Sequence, residues 1–192
     1  MRRFLVVFDN LEIARGNVKA GTNNPETITA ARCVNVALFL SGDLRRDVVI
    51  SIARREKDGL SVVSFNGADL RRVSPDERSI SFFLLKAFDA VSHLEMGNSQ
   101  RMDNGIMIER GVIQSLLESW AIARTFLAVE DCDTWSNNVI MSENVLYLYD
   151  SSSNTSVWNC TQVNHIPVPK PTHPERFLLD LNLMADRLSA VT

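Results

Sequence analysis

Four Arg-Arg pairs fall within the first 72 residues: Arg2-Arg3, Arg45-Arg46, Arg54-Arg55 and Arg71-Arg72. Arginine outnumbers lysine by 16 to 4 over the chain, and its planar fork suits phosphate recognition and stacking better than lysine's point charge. The pairs read either as solubilising charge at strand ends or as a localised RNA-backbone footprint. With 8 glycines and neither GxGxxG nor GxxxxGK[ST], the usual phosphate-cradling loops are excluded. Cys33, Cys132 and Cys160 are odd in number, widely spaced and never form CxxC. That argues against a disulfide framework or a zinc site and for a reducing compartment. His165 and His173 match no common metal-ligand spacing, so no metal is expected. Trp135 and Trp158 sit in or beside loops, where a satellite hydrophobic cluster explains them better than stacking of Trp158 on a base.

A chain of 192 residues and 21.5 kDa implies one domain. Hydrophobic residues at 45% and charged residues at 22% are the balance of a globule that can bury a sizeable core. The net charge of -3 excludes a generally basic coat, yet it is unevenly spread. Residues 1–78 carry 13 basic against 10 acidic side chains, and residues 79–192 carry 7 against 13. Any RNA-facing part therefore belongs to the first half. The apolar run after Arg2-Arg3 stops at Asp9, too short for a signal peptide or a membrane span, which predicts a cytoplasmic protein with no membrane partner. Without a secretory signal, the glycosylation patterns at Asn154 and Asn159 carry little meaning.

These side chains need a scaffold, and the sequence alternates strands and helices. Residues 3–9 read as a strand, 16–26 as a polar loop, and 27–41 as a helix stopped by Gly42. Residues 47–53 and 60–65 read as strands, and Asn66-Gly67 as a turn leading to residues 69–72. Ser74 as cap, Pro75 at the first helical position and Glu77 completing a capping box predict a helix running to about Ser92. Residues 93–104 read as a mobile loop, followed by a strand at 105–108, a helix at 112–123 and strands at 125–129 and 144–149. A serine-rich loop (150–156) and a strand (161–166) come next; residues 167–171, with three prolines, are expected to be irregular. Thr172 and Glu175 open a final amphipathic helix bearing Phe177, Leu178, Leu181, Met184 and Leu188. The alternation predicts an α/β fold with a mostly parallel sheet covered by helices.

Several short motifs carry a family resemblance. Arg32-Cys33-Val34-Asn35, Phe39-Leu40-Ser41, Arg45-Arg46-Asp47, Gly67 through Leu70-Arg71-Arg72, and Ser74-Pro75-Asp76-Glu77-Arg78-Ser79 follow one another in order and spacing. Together they resemble the N-terminal half of the archaeal tRNA (pseudouridine-54 N1)-methyltransferases, of the SPOUT class. The resemblance implies a C-terminal trefoil knot, a homodimer, S-adenosyl-L-methionine as cofactor, and methylation of N1 of a pseudouridine in the tRNA T-loop. It also implies an RNA-facing part over residues 1–92 and a knot and cofactor part over 105–192 of a single domain.

The resembled family holds its cofactor with three loops, which fall here on Ala128, on Tyr149, and on Pro167, Val168, Pro169 and Thr172. Glu130-Asp131 is retained after the first; Tyr149 and Val168 stand where the family uses glycine, and Phe177 where it uses a cysteine. Tyr149 could stack on an adenine or fill its slot, and three prolines leave the last loop with few N–H donors. Methylation at N1 requires loss of the N1 proton, and the resemblance points to Asp76 as its acceptor, directly or through a water. An aspartate in a first turn is also favourable against the helix dipole. Arg32, Arg45, Arg46, Arg71, Arg72 and Arg78 are the expected RNA contacts. The alternative reading is a non-catalytic RNA-binding dimer with a degraded cofactor site.

Overall fold

The computed structural model describes residues 1–135, 139–140, 144–152 and 164–189. Along the chain come β1 (Arg2–Phe8), α1 (Arg15–Ala20), α2 (Pro25–Leu38), β2 (Val48–Glu56), β3 (Gly59–Asn66), α3 (Glu77–Val91) and β4 (Ser99–Arg101). They are followed by β5 (Met107–Gly111), α4 (Ile113–Ser119), β6 (Arg124–Val129), β7 (Val145–Asp150), β8 (His165–Pro169) and α5 (Pro174–Ser189). The strands form one eight-stranded sheet in the order β4-β5-β3-β2-β1-β7-β6-β8. The run β2-β1-β7-β6-β8 is parallel, whereas β3, β5 and β4 join antiparallel at the other side. The architecture is thus mixed α/β.

β1 lies at the centre and its residues Phe4 to Val7 have no solvent exposure, as expected of a strand covered on both faces. One face sends Phe4, Val6, Ile50, Phe65, Phe126 and Tyr147 into a core closed by α2, α3 and α5. The other sends Leu5, Val7, Val62, Leu146 and Leu148 against α4. Because α4 is short, a polar strip of the second face, bearing Arg3, Ser51, Ser64 and Glu109, stays outside that apolar cluster.

Several local expectations are corrected. The segment expected as a polar loop at 16–26 contains α1, whose end is closed by Gly21 at φ 72. α2 begins at Pro25 because Asn24 accepts the Thr27 N–H. It stops at Leu38, not Ser41: Phe39 turns extended and pairs with Leu44, and Gly42 (φ 84) serves that tight turn. In α3 the cap is Asp76 rather than Ser74, its Oδ1 accepting the Ser79 N–H at 2.8 Å. Glu77 accepts a hydrogen bond from Asn23 and makes no capping box. The segment expected to be a mobile loop at 93–104 contributes β4.

Residues 165–169 are a strand despite their prolines, contrary to the expected irregularity. β8 is an edge strand bonded on one side to β6, and alternate residues of a parallel strand address the same edge. Pro167 and Pro169, two apart, therefore place their missing N–H on the open side. The last helix starts at Pro174, two residues beyond Thr172, and Leu188 is exposed. Trp158, Cys160, Asn154, Asn159 and residues 161–163 of the strand expected at 161–166 lie outside the described residues.

Candidate functional site

The carboxyl ends of β6, β7 and β8 stand side by side, the place where open parallel sheets build ligand crevices. A cavity of about 320 Å³ opens there, lined by Glu130, Tyr149, Ser151, Ser152, Lys170, Pro171 and Thr172. Of the six residues expected to hold a cofactor, Tyr149 and Thr172 line it. Ala128 and Val168 are buried partners across β6 and β8, while Pro167 and Pro169 pair with Leu127 and Val129. Ser151, Ser152, Lys170 and Pro171 were not singled out in the sequence; their signal is only position, one or two residues past a strand end.

Tyr149 organises this end. Its hydroxyl donates to the carbonyls of Pro171 (2.7 Å) and Thr172 (3.2 Å), and its ring lies 5.6 Å from that of Phe177, which stacks in turn on Trp135. Burial, reinforced by Cys33, Glu175 and Glu130, pushes the Tyr149 phenol up to about 12, so it stays a donor at neutral pH. Tyr149 thus occupies the strand end and fastens the loop after β8. Lys170 closes one wall by donating to the Ser152 carbonyl and meeting Glu130 at 3.4 Å. Beneath, buried Asp150 pairs with Arg55 at 2.6 Å, and Arg55 also holds Asp9 at 2.7 Å. Burial alone would lower the Arg55 guanidinium, but the two carboxylates outweigh it and leave its pKa raised. Asp150 Oδ1 accepts the Ser152 N–H at 3.0 Å, which shapes the cavity floor.

Asp76 lies elsewhere. It lines a second cavity, of about 390 Å³, with Val18, Lys19, Arg78, Ser79 and Phe82. The two cavities share no lining residue, and α2 packs against both α3 and α5. One chain therefore does not bring Asp76 together with Tyr149 and Thr172. Arg32 on α2 lies 3.9 Å from Glu175 at the start of α5, and Arg78 donates to the Lys19 carbonyl.

Arg46, Arg71 and Arg72 gather at the amino end of β1, around residues 67–72. Arg46 donates to the Gly67 carbonyl, the Arg71 N–H to the Asn104 carbonyl, and Arg101 pairs with Asp69 at 3.3 Å. Two glycines hold this arrangement. A Cβ on Gly67 would meet the Arg45 carbonyl oxygen at 1.9 Å, and one on Gly105 (φ +86) would meet that of Asp69 at 2.4 Å. Arg45 is different from its neighbours: its side chain is 12% exposed and forks onto Asp186 of α5. Arg3 and Arg55 likewise serve partly buried contacts and Arg2 pairs with Asp47, so three of the four Arg-Arg pairs have at least one structural member.

The geometry defines a class: an α/β protein with a polar cavity at the carboxyl ends of parallel strands and a cationic loop at their opposite end. A family model described as "Putative SAM-dependent RNA methyltransferase" matches residues 20–144. The chain belongs to this family. Among similar proteins, a tRNA (pseudouridine(54)-N(1))-methyltransferase of Haloferax volcanii is 29% identical over 139 residues, 68% of this chain and 66% of the relative. One of Methanocella arvoryzae is 38% identical over 94 residues, 46% of this chain and 48% of the relative. One of Methanococcus maripaludis is 48% identical over 59 residues, 30% of each. The chain thus spans less than two thirds of the length of these relatives. Among the described residues no helix is long and apolar enough to cross a membrane.

Proposed function

We propose that this protein is an S-adenosyl-L-methionine-dependent RNA methyltransferase that methylates N1 of a pseudouridine in the tRNA T-loop. The observation that carries the reading is the polar cavity at the ends of β6, β7 and β8, in a chain of a family described as SAM-dependent. The lining fits such a cofactor: the Glu130 carboxylate and the Thr172 hydroxyl suit ribose hydroxyls. When bound, the cofactor supplies an electrophilic methyl group on a sulfonium. Tyr149 and Lys170 hold the loops that position it, and the Asp150–Arg55 pair fixes the floor.

As N1 takes up the methyl group that the cofactor would supply, Asp76 would accept the N1 proton. Its Oδ1 is engaged by the Ser79 N–H, so Oδ2 is the accepting oxygen, directly or through a water. Because α2 separates the two cavities within one chain, the reading includes a homodimer in which Asp76 of one protomer serves the cavity of its partner. It also includes the trefoil-knotted SPOUT fold, a single domain and a cytoplasmic location. Arg46, Arg71, Arg72, Arg78 and Arg32 contact phosphates, whereas Arg45 acts by bracing α5.

One observation favours a second reading, a non-catalytic RNA-binding protein. The Tyr149 ring sits at the strand end and its hydroxyl consumes two carbonyls of the loop after β8. Calorimetry with S-adenosylmethionine and its demethylated product separates the two. Micromolar binding, followed by mass spectrometry of a methylated T-loop transcript containing pseudouridine, is the expected result. Absence of binding at millimolar cofactor overturns the enzyme reading.

A further inference from the structure

The proposed proton transfer uses one carboxylate of the Asp76 cavity and leaves the apolar wall of that cavity without a role. The cavity, of about 390 Å³, lies between α1, which supplies Val18 and Lys19, and the first turns of α3. Its volume is within the range of small-ligand sites. Phe82 forms the apolar wall and is 43% exposed, whereas its neighbour Phe83 packs on the core. The two rings meet edge to face, 5.5 Å apart at 75°, and the Lys86 ammonium lies 4.6 Å from the centre of the Phe82 ring. Lys86 does not line the cavity, so the ammonium and the cavity approach that ring from different sides.

An isolated apolar side chain on a surface is ordinary; Phe82 differs in the company it keeps. Asp76, Ser79 and Phe82 recur every three residues and so share one side of α3. Helical side chains lean toward the N-terminus, which carries the Phe82 ring back toward Asp76. Asp76 is exposed, and its Oδ1 is taken by the Ser79 N–H, which leaves Oδ2 for a ligand. Arg78 reaches across the junction of the two helices to the Lys19 carbonyl at 3.4 Å. Among the described contacts neither Lys19 nor Arg78 pairs with a carboxylate. The cavity therefore offers an aromatic ring, an acceptor for an N–H, and two cations. An inorganic anion gains nothing from the ring, and an aliphatic group gains nothing from the carboxylate or the cations. A nucleotide uses all three, through its base plane, its ring N–H and its phosphate.

We infer that the Asp76 cavity receives the everted target nucleoside of the RNA, and that Phe82 is the positioning residue on which its base stacks. A base must leave its own stack before chemistry can be done on it, and an exposed aromatic ring replaces the contact it gives up. Stacking accepts any base, since every base has a π-face, so Phe82 does not choose among bases. It fixes the base plane so that a ring N–H presents itself to Asp76 Oδ2, while Lys19 and Arg78 meet the adjoining phosphates. The inference rests on the proposed RNA substrate but not on methyl transfer.

The test uses the full chain without methyl donor and two fluorescein-labelled T-loop hairpins. One carries pseudouridine at the target position and the other an abasic residue, which keeps the phosphates and removes the base. In fluorescence anisotropy at fixed salt, Phe82→Ala is expected to weaken binding of the pseudouridine hairpin at least about fivefold, and of the abasic hairpin less than about twofold. Comparing the substitution within each hairpin cancels the cost of everting the base. Phe82→Trp is expected to restore the wild-type affinity, and the exposed position leaves the melting temperature of either variant near that of wild type. If Phe82→Ala weakens both hairpins alike, or neither, the stacking role is overturned while an RNA-binding protein remains. A smaller mass in sedimentation for Phe82→Ala than for wild type assigns the ring to contact between copies and also overturns it. No binding of either hairpin by wild type overturns both the stacking role and the RNA substrate. A base-dependent loss in a protein that transfers no methyl group supports the stacking role and removes only the catalytic reading.

Discussion

Replacing Tyr149 by phenylalanine tests whether its hydroxyl fastens the loop after β8. The ring, its contact with Phe177 and its burial remain, so only the donor to the Pro171 and Thr172 carbonyls is lost. A neutral hydrogen bond contributes a net of roughly 0.5–1.5 kcal/mol. Thr172 is exposed and can take water instead, so about 1 kcal/mol is expected, a fall in Tm of roughly 2–4 °C for a chain of this size. Tyr149→Ala should cost about 3–5 kcal/mol, because the cavity left against Phe177 adds to the lost transfer energy. The pH dependence gives an independent sign. The folded phenol is raised from 10.0 to about 12, so the folded state holds its proton more tightly than the unfolded chain. That advantage is complete below the ordinary value and is lost as pH rises through the folded one. Wild type should therefore lose stability relative to Tyr149→Phe between pH 10 and pH 12. Thermal melts at stepped pH, with calorimetry of the demethylated cofactor, make the measurement. Affinity should weaken by no more than about tenfold, the equivalent of 1.4 kcal/mol. If Tyr149→Phe matched wild type in melting temperature, in its alkaline profile and in affinity, the hydroxyl would not hold the loop.

Asp76→Asn keeps the helix cap, since asparagine caps as well as aspartate, but removes the proposed base; melting should be unchanged while methyl transfer falls by about 10²–10⁴, measured by single-turnover labelling. Arg71→Ala or Arg72→Ala should each flatten the salt dependence of RNA binding by about one unit in log–log slope, whereas Arg45→Ala, whose fork is spent on Asp186, should leave the slope alone and lower the melting temperature. Gly67→Ala forces a Cβ onto the Arg45 carbonyl and should cost about 3 kcal/mol or more, read by urea unfolding. Burial holds Glu109 above its ordinary value of 4.5, so wild type should lose stability relative to Glu109→Gln as pH rises from that value through the folded one, followed by urea unfolding at stepped pH.

Much of the scaffold could be read from local pattern. The apolar run of β1, the β-branched β2 and β3, and the amphipathic α3 and α5 each announce themselves within a few residues, because burial on one face or both imposes a period. Misreadings arose where a neighbour decides the outcome. Asp76 caps α3 because the chain enters that helix past Asn35, which binds the Pro75 carbonyl. The prolines of β8 are tolerated because the strand lies at an edge, a position no local window contains. Arg45 and Arg46 are adjacent in sequence, yet one is closed onto Asp186 and the other is exposed, a difference set by where α5 returns to the sheet.

The sequence by itself determined the α/β class, the order of most elements, the uneven charge and the motifs behind the family resemblance. These depend on residue type and spacing, which are local. Only the tertiary structure decided that Tyr149 fastens the loop after β8, that Asp76 and the cavity at the ends of β6, β7 and β8 lie on different sides of α2, and that Arg3 stands near Glu109 beneath Trp120. Each of these joins residues from about 20 to more than 100 positions apart. Such contacts follow from strand order and register, and no spacing along the chain encodes them.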